Sequence, residues 1–241
     1  MPVDEGLARA GHRWIECPDG AVLATELADF VAARIKETLR SALRAAIAVS
    51  GGRTPTRFFE ALASRELPWS RVDVTLVDER WTDEHSARSN GRLVRRHLLR
   101  DFASRAAFLP LYDGGASPHA SRATVDAAVA QLPSPFAAVV LGMGEDGHTA
   151  SFFPGASELG ACLDRSSADS VIAIAADASG EARLTLSLVK LLASRAIALH
   201  IEGDAKRSTL ARALDEGDET ELPVRAILRQ SRTPVSVFWC P

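Results

Sequence analysis

The sequence feature that most constrains the fold is an alternation of short apolar runs with longer segments of helical periodicity. The short runs are rich in valine, isoleucine and alanine, as strands buried on both faces are. The longer segments repeat their apolar residues every three to four positions, as amphipathic helices do. This alternation is typical of an α/β fold, and we predict a mainly parallel sheet with helices on both of its faces.

The strand and helix predictions follow from these two periodicities. The predicted strands are Ala45 to Val49, Val72 to Val77, Ala137 to Leu141, Val171 to Ala175, Ala196 to Ile201 and Val235 to Trp239. The predicted helices are a stripe from Leu27 to Leu43, a helix capped by Thr54 with Pro55 in its first position, and segments near Leu93 to Leu99, Ala123 to Leu132, Thr185 to Ser194 and Ala205 to Leu214. The stretches Tyr112 to Pro118 and Asp215 to Glu221 are interpreted as loops that are too short to separate domains. At 241 residues we expect a single α/β domain over residues 1–241.

The composition is that of an ordinary globular protein and argues against several classes of partner. Hydrophobic residues make up 46% of the chain, and a formal net charge of -3 gives no basic surface for nucleic acid. Cys17, Cys162 and Cys240 are scattered and show no C-x-x-C spacing, which favours neither a disulfide framework nor a zinc site. No basic leader precedes an apolar run, and no stretch approaches about eighteen uninterrupted apolar residues. We therefore expect a soluble, cytoplasmic protein that binds neither nucleic acid nor membranes.

Four polar segments that contain glycine or clustered charges lie just past the carboxyl ends of predicted strands. They are Ser50 to Thr54, Asp78 to Trp81, Gly142 to His148 and Gly203 to Lys206. In open parallel sheets, ligands bind at the carboxyl ends of the strands. We therefore expect these four segments to form one shared site.

The segment Ser50 to Pro55 places two glycines and a hydroxyl group where a strand turns into a helix. Backbone N–H groups and the positive end of a helix can face an anion there, and phosphate is the natural occupant. The alternative is an ordinary strand-to-helix turn capped by Thr54. The segment is not a P-loop, because the Gly-Lys-Ser/Thr ending is absent.

The segment Gly142 to His148 formally satisfies G-x-G-x-x-G, a pattern that can indicate a dinucleotide cofactor. Glu145 and Asp146 would place two carboxylates beside a pyrophosphate, so we reject that interpretation. A catalytic loop explains the residues better, with His148 presented at the start of a helix and Asp146 orienting it. Histidine is the side chain best suited to exchange protons near neutral pH.

Several other polar residues leave alternatives open on the sequence alone. Asp78, Glu79 and Arg80 fit a salt-bridged rim as well as a functional site. Arg183 precedes a predicted helix, and Lys206 opens another. Either side chain could reach a phosphate or remain solvated at the surface. The other five histidines are interpreted as structural: His12, His85, His97, His119 and His200. No H-E-x-x-H and no G-x-S-x-G occurs, which disfavours a metal site and an acyl-serine enzyme.

Four motifs occur in order across most of the chain: S-G-G-R-T-P at Ser50 to Pro55, D-E-R-W at Asp78 to Trp81, G-M-G-E-D-G-H-T-A-S at Gly142 to Ser151, and R-L-T-L-S at Arg183 to Ser187. Together they closely resemble the 6-phosphogluconolactonase family, and the segment Gly142 to Ser151 is the most specific of them. The resemblance implies the three-layer α/β/α fold shared with glucosamine-6-phosphate deaminase and ribose-5-phosphate isomerase. It also implies a cofactor-free hydrolase of the oxidative pentose phosphate pathway that converts 6-phospho-D-glucono-1,5-lactone to 6-phospho-D-gluconate.

The resemblance also implies roles for particular residues. The catalytic set is His148, Asp146, Arg80 and Asp78, which would surround the lactone. The substrate- and phosphate-binding set is Ser50, Gly51, Gly52, Arg53, Thr54, Gly144, Gly147, Arg183 and Lys206. His148 would act as general base on water and return the proton to the ring oxygen, with no covalent intermediate, metal ion or cofactor. The expected partner is a phosphosugar lactone, and the expected assembly is a monomer or a weak homodimer.

Two other functions compete with lactone hydrolysis. An aminosugar-phosphate deaminase or isomerase on the same fold would need a further acid soon after the histidine, and residues 149–154 contain no carboxylate. A non-catalytic sugar-phosphate sensor would keep the phosphate turn but would need neither His148 nor Asp146.

Overall fold

The computed structural model describes residues 2–52, 54–176, 178 and 180–241. Its helices are α1 Val3–Arg9, α2 Gly20–Leu39, α3 Thr56–Ala63, α4 Asn90–His97, α5 Pro118–Ala130, α6 Leu159–Leu163, α7 Leu188–Leu192, α8 Asp204–Leu214 and α9 Val224–Leu228. Its strands are β1 Arg13–Glu16, β2 Ala45–Val49, β3 Val72–Leu76, β4 Asp78–Arg80, β5 Ala107–Leu109, β6 Ala138–Gly142, β7 Val171–Ile174, β8 Arg183–Leu186, β9 Ile197–Glu202 and β10 Val235–Cys240. Short 3₁₀ turns lie at Trp69–Arg71 and Asp101–Arg105.

The central sheet has seven strands in the order β1-β10-β9-β6-β2-β3-β5. Every pairing in it is parallel. The central strand β2 is buried along its whole length, as its run of small and β-branched residues requires. The predicted α/β fold with a mainly parallel sheet is confirmed, whereas the single-domain organisation stays a prediction.

Helices cover both faces of this sheet. Phe30 of α2 makes an edge-to-face contact with Phe238 of β10, with ring centroids 5.4 Å apart. Arg207 of α8 lies over the ring of the next residue, Trp239, at 4.5 Å from its centroid. Consecutive strand residues point to opposite faces, so α2 and α8 lie on opposite sides of the sheet. The result is the three-layer α/β/α arrangement.

A second, antiparallel sheet of three strands, in the order β4-β8-β7, stands beside the ends of the central strands. The predicted helix from Thr185 to Ser194 is wrong in its first part. Residues 183–186 form β8 and pair with both β4 and β7. The helix starts only after Ser187, whose side chain accepts a hydrogen bond from Lys190 N–H and so caps α7. The pairing with β4 was invisible in the sequence because it joins residues more than a hundred positions apart.

Three helix boundaries differ from the prediction for local reasons. Helix α2 ends at Leu39 because the N–H groups of Arg40 and Ser41 bond to carbonyl groups three residues back, and Leu43 is 88% exposed. Thr54 does not cap α3, which begins at Thr56 after Pro55 in the cap position. Helix α5 begins earlier than predicted, because Ser117 caps it and proline fits the first helical position.

Candidate active site

A single cleft collects most of the residues that the sequence singled out. Its volume is about 270 Å³, and it lies at the carboxyl ends of β2, β6 and β9. The predicted residues that line it are Ser50, Gly51, Gly52, Thr54, Asp78, Arg80, Gly144, His148, Arg183 and Lys206. Asp146 and Gly147 do not line it but adjoin it through His148, and Arg53 lies outside the described residues. The four polar segments therefore meet at one edge of the sheet.

The turn after β2, residues 50–52, is fixed at the edge of the cleft by contacts with β6 and α4. Ser50 Oγ accepts a hydrogen bond of 3.1 Å from Gly142 N–H, which ties the turn to the end of β6. Gly52 has φ +96°, a conformation that favours glycine. A Cβ atom at Gly51 would overlap the Asn90 side chain, so α4 packs directly on this turn. The turn thus presents backbone rather than side chain to the cleft.

His148 is paired with Asp146 inside the loop that follows β6. The distance from His148 Nδ1 to Asp146 Oδ1 is 2.6 Å, and the backbone N–H of His148 donates to the same oxygen at 3.2 Å. The hydrogen bond from His148 lowers the pKa of Asp146, so the carboxylate is charged over the neutral range. An ionised carboxylate only accepts hydrogen bonds, so the Nδ1 atom carries a proton, and in the neutral form of the ring the lone pair is on Nε2.

The predicted placement of His148 at the start of a helix is wrong. Residues 143–151 form a compact turn instead, and the next helix, α6, begins at Leu159. Positive φ angles at Gly147 (+78°) and Ala150 (+49°) prevent helical continuation. Gly144 N–H donates to the His148 carbonyl at 2.9 Å, closing the loop. A Cβ atom at Gly144 would overlap both the His148 ring and the Asp146 carboxylate.

Phe153 links His148 to Arg183, a contact that the sequence did not indicate. Its ring centroid lies 4.6 Å from that of His148 and 5.0 Å from Arg183 Cζ. Phe153 is buried, so the imidazole and the guanidinium both pack on one fixed aromatic surface. A ring that is this closely packed against the imidazole limits its rotation.

Asp78 and Arg183 form a buried ion pair on neighbouring antiparallel strands. Arg183 Nη1 lies 3.3 Å from Asp78 Oδ2, and the two side chains are only 10% and 8% exposed. Ser151 Oγ donates to Asp78 at 2.6 Å, and Asn90 Nδ2 donates at 3.2 Å. Burial lowers the pKa of Arg183, although Asp78 opposes this effect. The sequence missed Asn90, which also lines the cleft, because an asparagine at a helix start has no distinctive pattern.

The cluster Asp78 to Arg80 divides between the cleft and the protein interior. Arg80 lines the cleft, and its guanidinium is 3.8 Å from Glu181. Glu79 is 1% exposed and accepts hydrogen bonds from the N–H groups of Arg80, Asn90 and Gly91. Burial raises the pKa of Glu79, and these donors oppose that rise. Glu79 is therefore a structural link between β4 and α4.

The remaining wall of the cleft contains Lys206 and His200. Lys206 lies in the first turn of α8, after Gly203 with φ +88°. His200 Nε2 lies 3.1 Å from Glu202, which is the structural hydrogen bond expected of it, but His200 also lines the cleft. Of the other histidines, His12 bonds to the Leu228 carbonyl at 2.8 Å and His97 to Glu60 at 2.9 Å.

Within the described part of the chain, no group of three or more His, Cys, Asp or Glu side chains is arranged to hold a metal ion. None of the helices that the structure describes has the length and apolar character needed to cross a membrane.

Residues 18–239 match the model of the family described as glucosamine-6-phosphate isomerases/6-phosphogluconolactonase. The chain belongs to this family. A 6-phosphogluconolactonase of Rhizobium meliloti (strain 1021) is 46% identical over 221 residues, which are 92% of this chain and 95% of that protein. The resemblance drawn from the four motifs is thereby confirmed.

Solved structures agree in fold. The crystal structure of a 6-phosphogluconolactonase from Shewanella baltica OS155 is 37% identical, with a TM-score of 0.93 over 95% of this chain and 98% of that one. A monomeric glucosamine-6-phosphate deaminase is 19% identical, with a TM-score of 0.73 over 93% of this chain and 96% of that one. At that identity the likeness shows the fold alone, and it confirms that the family shares its architecture with the deaminases.

Proposed function

We propose that this protein hydrolyses 6-phospho-D-glucono-1,5-lactone to 6-phospho-D-gluconate in the oxidative pentose phosphate pathway. The observation that carries the proposal is the position of His148. Its ring, fixed by Asp146 at 2.6 Å, faces the same cleft as the turn after β2 and Lys206. Membership of the family and the 46% identity to a 6-phosphogluconolactonase support the same reaction.

The phosphate is assigned to the end of the cleft formed by Ser50, Gly51, Gly52 and Lys206. The turn supplies backbone N–H groups, and Lys206 supplies a positive charge from the first turn of α8. Thr54 lies at the same end and can offer its hydroxyl group. This arrangement leaves the other end of the cleft, with His148, for the lactone ring.

Arg183 also lines the cleft. It is held by Asp78 and by Glu181, whose carboxylate is 3.0 Å from its Nη2 atom. Within the described residues, the buried Nε–H groups of Arg80 and Arg183 have no hydrogen-bond partner. Both guanidiniums therefore keep donor capacity that a substrate oxygen can use after a small side-chain shift.

His148 acts as the general base through Nε2. It takes one proton from a water molecule, whose oxygen forms a bond to the lactone carbonyl carbon. Asp146 stabilises the imidazolium that results, because the charged carboxylate stays hydrogen-bonded to Nδ1. The geometry supports the choice of Nε2 as the base, because Asp146 is hydrogen-bonded to the other ring nitrogen, Nδ1.

Collapse of the tetrahedral oxyanion completes the reaction. The bond between the carbonyl carbon and the ring oxygen breaks, and the imidazolium returns its proton to that oxygen. The N–H groups of Gly144 and Gly147 are already hydrogen-bonded within their own loop, so Arg80, which lines the cleft, is assigned to the oxyanion. The new carboxyl group then releases the second proton of the water molecule to solvent, which gives the carboxylate product. Water, substrate and one acid–base group account for every atom, so no covalent intermediate and no cofactor is needed.

An aminosugar-phosphate deaminase or isomerase is less well supported. That chemistry moves a proton between carbons and needs a further acid near the histidine. The residues that follow His148 are Thr149, Ala150, Ser151, Phe152, Phe153 and Pro154, and none of them is acidic. Ammonia release from glucosamine 6-phosphate by the purified protein would reverse this ranking.

We further propose a cytoplasmic location and a monomer or weak homodimer without nucleic-acid or membrane partners. Cys17, Cys162 and Cys240 are buried free thiols, which fits a reducing compartment. Burial raises the pKa of Cys162 to about 12, so this thiol has little thiolate character.

One paired measurement tests the reaction. Lactone decay is followed with and without the protein, and binding of 6-phosphogluconate is measured by calorimetry on the same preparation. We expect decay well above the buffer rate together with saturable product binding. Product binding with decay no faster than buffer would instead identify a non-catalytic sugar-phosphate sensor.

A further inference from the structure

His200 and Glu202 form a second histidine–carboxylate pair at the phosphate end of the cleft. Both belong to β9, two positions apart, so their side chains leave the same face of the sheet. His200 is level with Gly142 on the neighbouring strand β6, and Gly142 N–H donates to Ser50 Oγ at 3.1 Å. His200 therefore lies beside the turn assigned to phosphate.

Glu202 is a negative charge in a region that has to accept an anion. The hydrogen bond from His200 is the main reason that the pKa of Glu202 is lowered, and Arg57 and Lys206 act in the same direction. Its side chain is 33% exposed, so the charge is not hidden in the interior. A carboxylate here attracts Lys206 and repels a phosphate.

The surroundings of this pair come from four elements. Asp19 caps α2, Arg57 lies in the first turn of α3, Cys240 ends β10, and Lys206 belongs to α8. A Cβ atom at Gly20 would lie 2.9 Å from Arg57 Nη1 and 3.5 Å from Glu202 Oε1, so little free space separates α2 from these charges. Glu202 therefore lies in a crowded group of charges next to the cleft, whose lining includes His200 and Lys206.

We propose that His200 is a positioning residue for substrate affinity: its ring donates a hydrogen bond of 3.1 Å to the Glu202 carboxylate and so offsets part of the negative charge that a phosphate dianion beside Lys206 would meet. His200 acts through Glu202 and does not touch the reacting lactone. The inference rests on the proposed function, because it uses the end of the cleft that is assigned to phosphate. It explains why the imidazole of His200, which is only 4% exposed, lines the cleft. His148 exchanges protons with the reactants, whereas His200 sets the charge that the phosphate meets.

A double-mutant cycle tests this inference. In His200→Asn the Glu202 charge loses its partner, and we expect both KM for the lactone and Kd for 6-phosphogluconate to rise about tenfold, which corresponds to about 1.4 kcal/mol. We expect kcat to change less than about twofold, because the reacting end of the cleft is untouched. Adding Glu202→Gln to His200→Asn should restore both constants to within about threefold of wild type.

The matched control is the pair His97 and Glu60, which is held at 2.9 Å outside the cleft. His97→Asn and Glu60→Gln should change neither KM nor Kd by more than about twofold. Circular dichroism and urea midpoints establish that each variant is folded. If His200→Asn does not fold, the variants His200→Gln and Glu202→Gln test the inference in its place. We expect Glu202→Gln to bind inorganic phosphate and 6-phosphogluconate at least as tightly as wild type.

Three outcomes would overturn the inference. The first is an unchanged Kd in His200→Asn, and the second is weaker binding of 6-phosphogluconate by Glu202→Gln. The third is a double variant that binds 6-phosphogluconate as weakly as His200→Asn does, which would mean that His200 contacts the ligand directly. Wild-type activity is measured in the same series. If the wild-type protein binds 6-phosphogluconate but does not hydrolyse the lactone, the proposed function is wrong. The double-mutant cycle can still be evaluated from the Kd values in that case.

Discussion

His148 Nδ1 and Asp146 Oδ1 lie 2.6 Å apart, within a turn of only three residues. The short separation in sequence means that the turn itself, rather than distant packing, sets the direction of the imidazole. Gly144 makes the turn possible by bringing its backbone against both side chains. Phe153 completes the arrangement by packing against the imidazole ring. The pair of His148 and Asp146 is thus a local unit at the edge of the sheet, and His148 lines the cleft.

Removal of the imidazole is the most direct test of the assigned base. We expect His148→Ala to lower kcat by about a hundredfold or more, because general-base catalysis is lost. The Kd for 6-phosphogluconate should stay within about threefold, since the phosphate is held elsewhere. Steady-state kinetics and calorimetry give the two values. His119→Ala, on the exposed surface of α5, is the control, and full activity in His148→Ala would refute the assignment.

The role of Asp146 is tested by its isosteric amide. The hydrogen bond with His148 lowers the pKa of Asp146, so its carboxylate stays ionised well below neutral pH and loses its charge only as the pH falls through that lowered value. The acid limb of the wild-type pH profile is therefore not due to Asp146. We expect Asp146→Asn to reduce kcat by about ten- to a hundredfold and to shift the acid limb of kcat/KM to lower pH, because the imidazolium loses its countercharge. An unshifted limb would argue that Asp146 serves the loop fold alone.

Gly144 tests whether the geometry of the pair matters beyond its presence. A methyl group at Gly144 would overlap both His148 and Asp146, so Gly144→Ala should lower kcat by about tenfold or more with both side chains retained. Gly160→Ala on α6 is the matched control, since nothing lies within 4 Å of a Cβ atom there and alanine favours a helix. Equal activities of the two variants, measured with equal urea midpoints, would contradict the proposed constraint.

The buried pair of Asp78 and Arg183 should matter for stability as well as for the site. Asp78→Ala leaves a buried guanidinium with less compensation, and we expect the free energy of unfolding to fall by about 3 kcal/mol. Arg44 and Asp73 form a more exposed pair at 2.7 Å, and Asp73→Ala should cost about 1 kcal/mol or less. Urea denaturation measures both. Similar losses in the two variants would mean that burial of the first pair has little energetic effect.

Strands β2, β3, β6, β7, β9 and β10 were predictable because their signals are local, whereas β1, β4 and β5 were not predicted. The run Ala45 to Val49 was predicted with the bounds that β2 has in the structure. Strands β6 and β9 each lie one residue further along the chain than predicted, and β10 is one residue longer at its end. The buried face of a parallel strand has to be apolar along its length, so the sequence carries the signal directly. Strand β8 was missed, because whether Arg183 to Leu186 is a strand depends on its partners β4 and β7.

The sequence by itself determined the fold class, the family and the cluster of polar segments at one edge of the sheet, because apolar periodicity and motif order are written along the chain. Only the tertiary structure decided which side chains touch: Phe153 between His148 and Arg183, Asn90 against Asp78, and His200 with Glu202 beside the phosphate turn. Except for His200 and Glu202, which both belong to β9, these contacts depend on residues from different strands and loops. Their distances are set by how the layers pack, and no spacing within the chain encodes that.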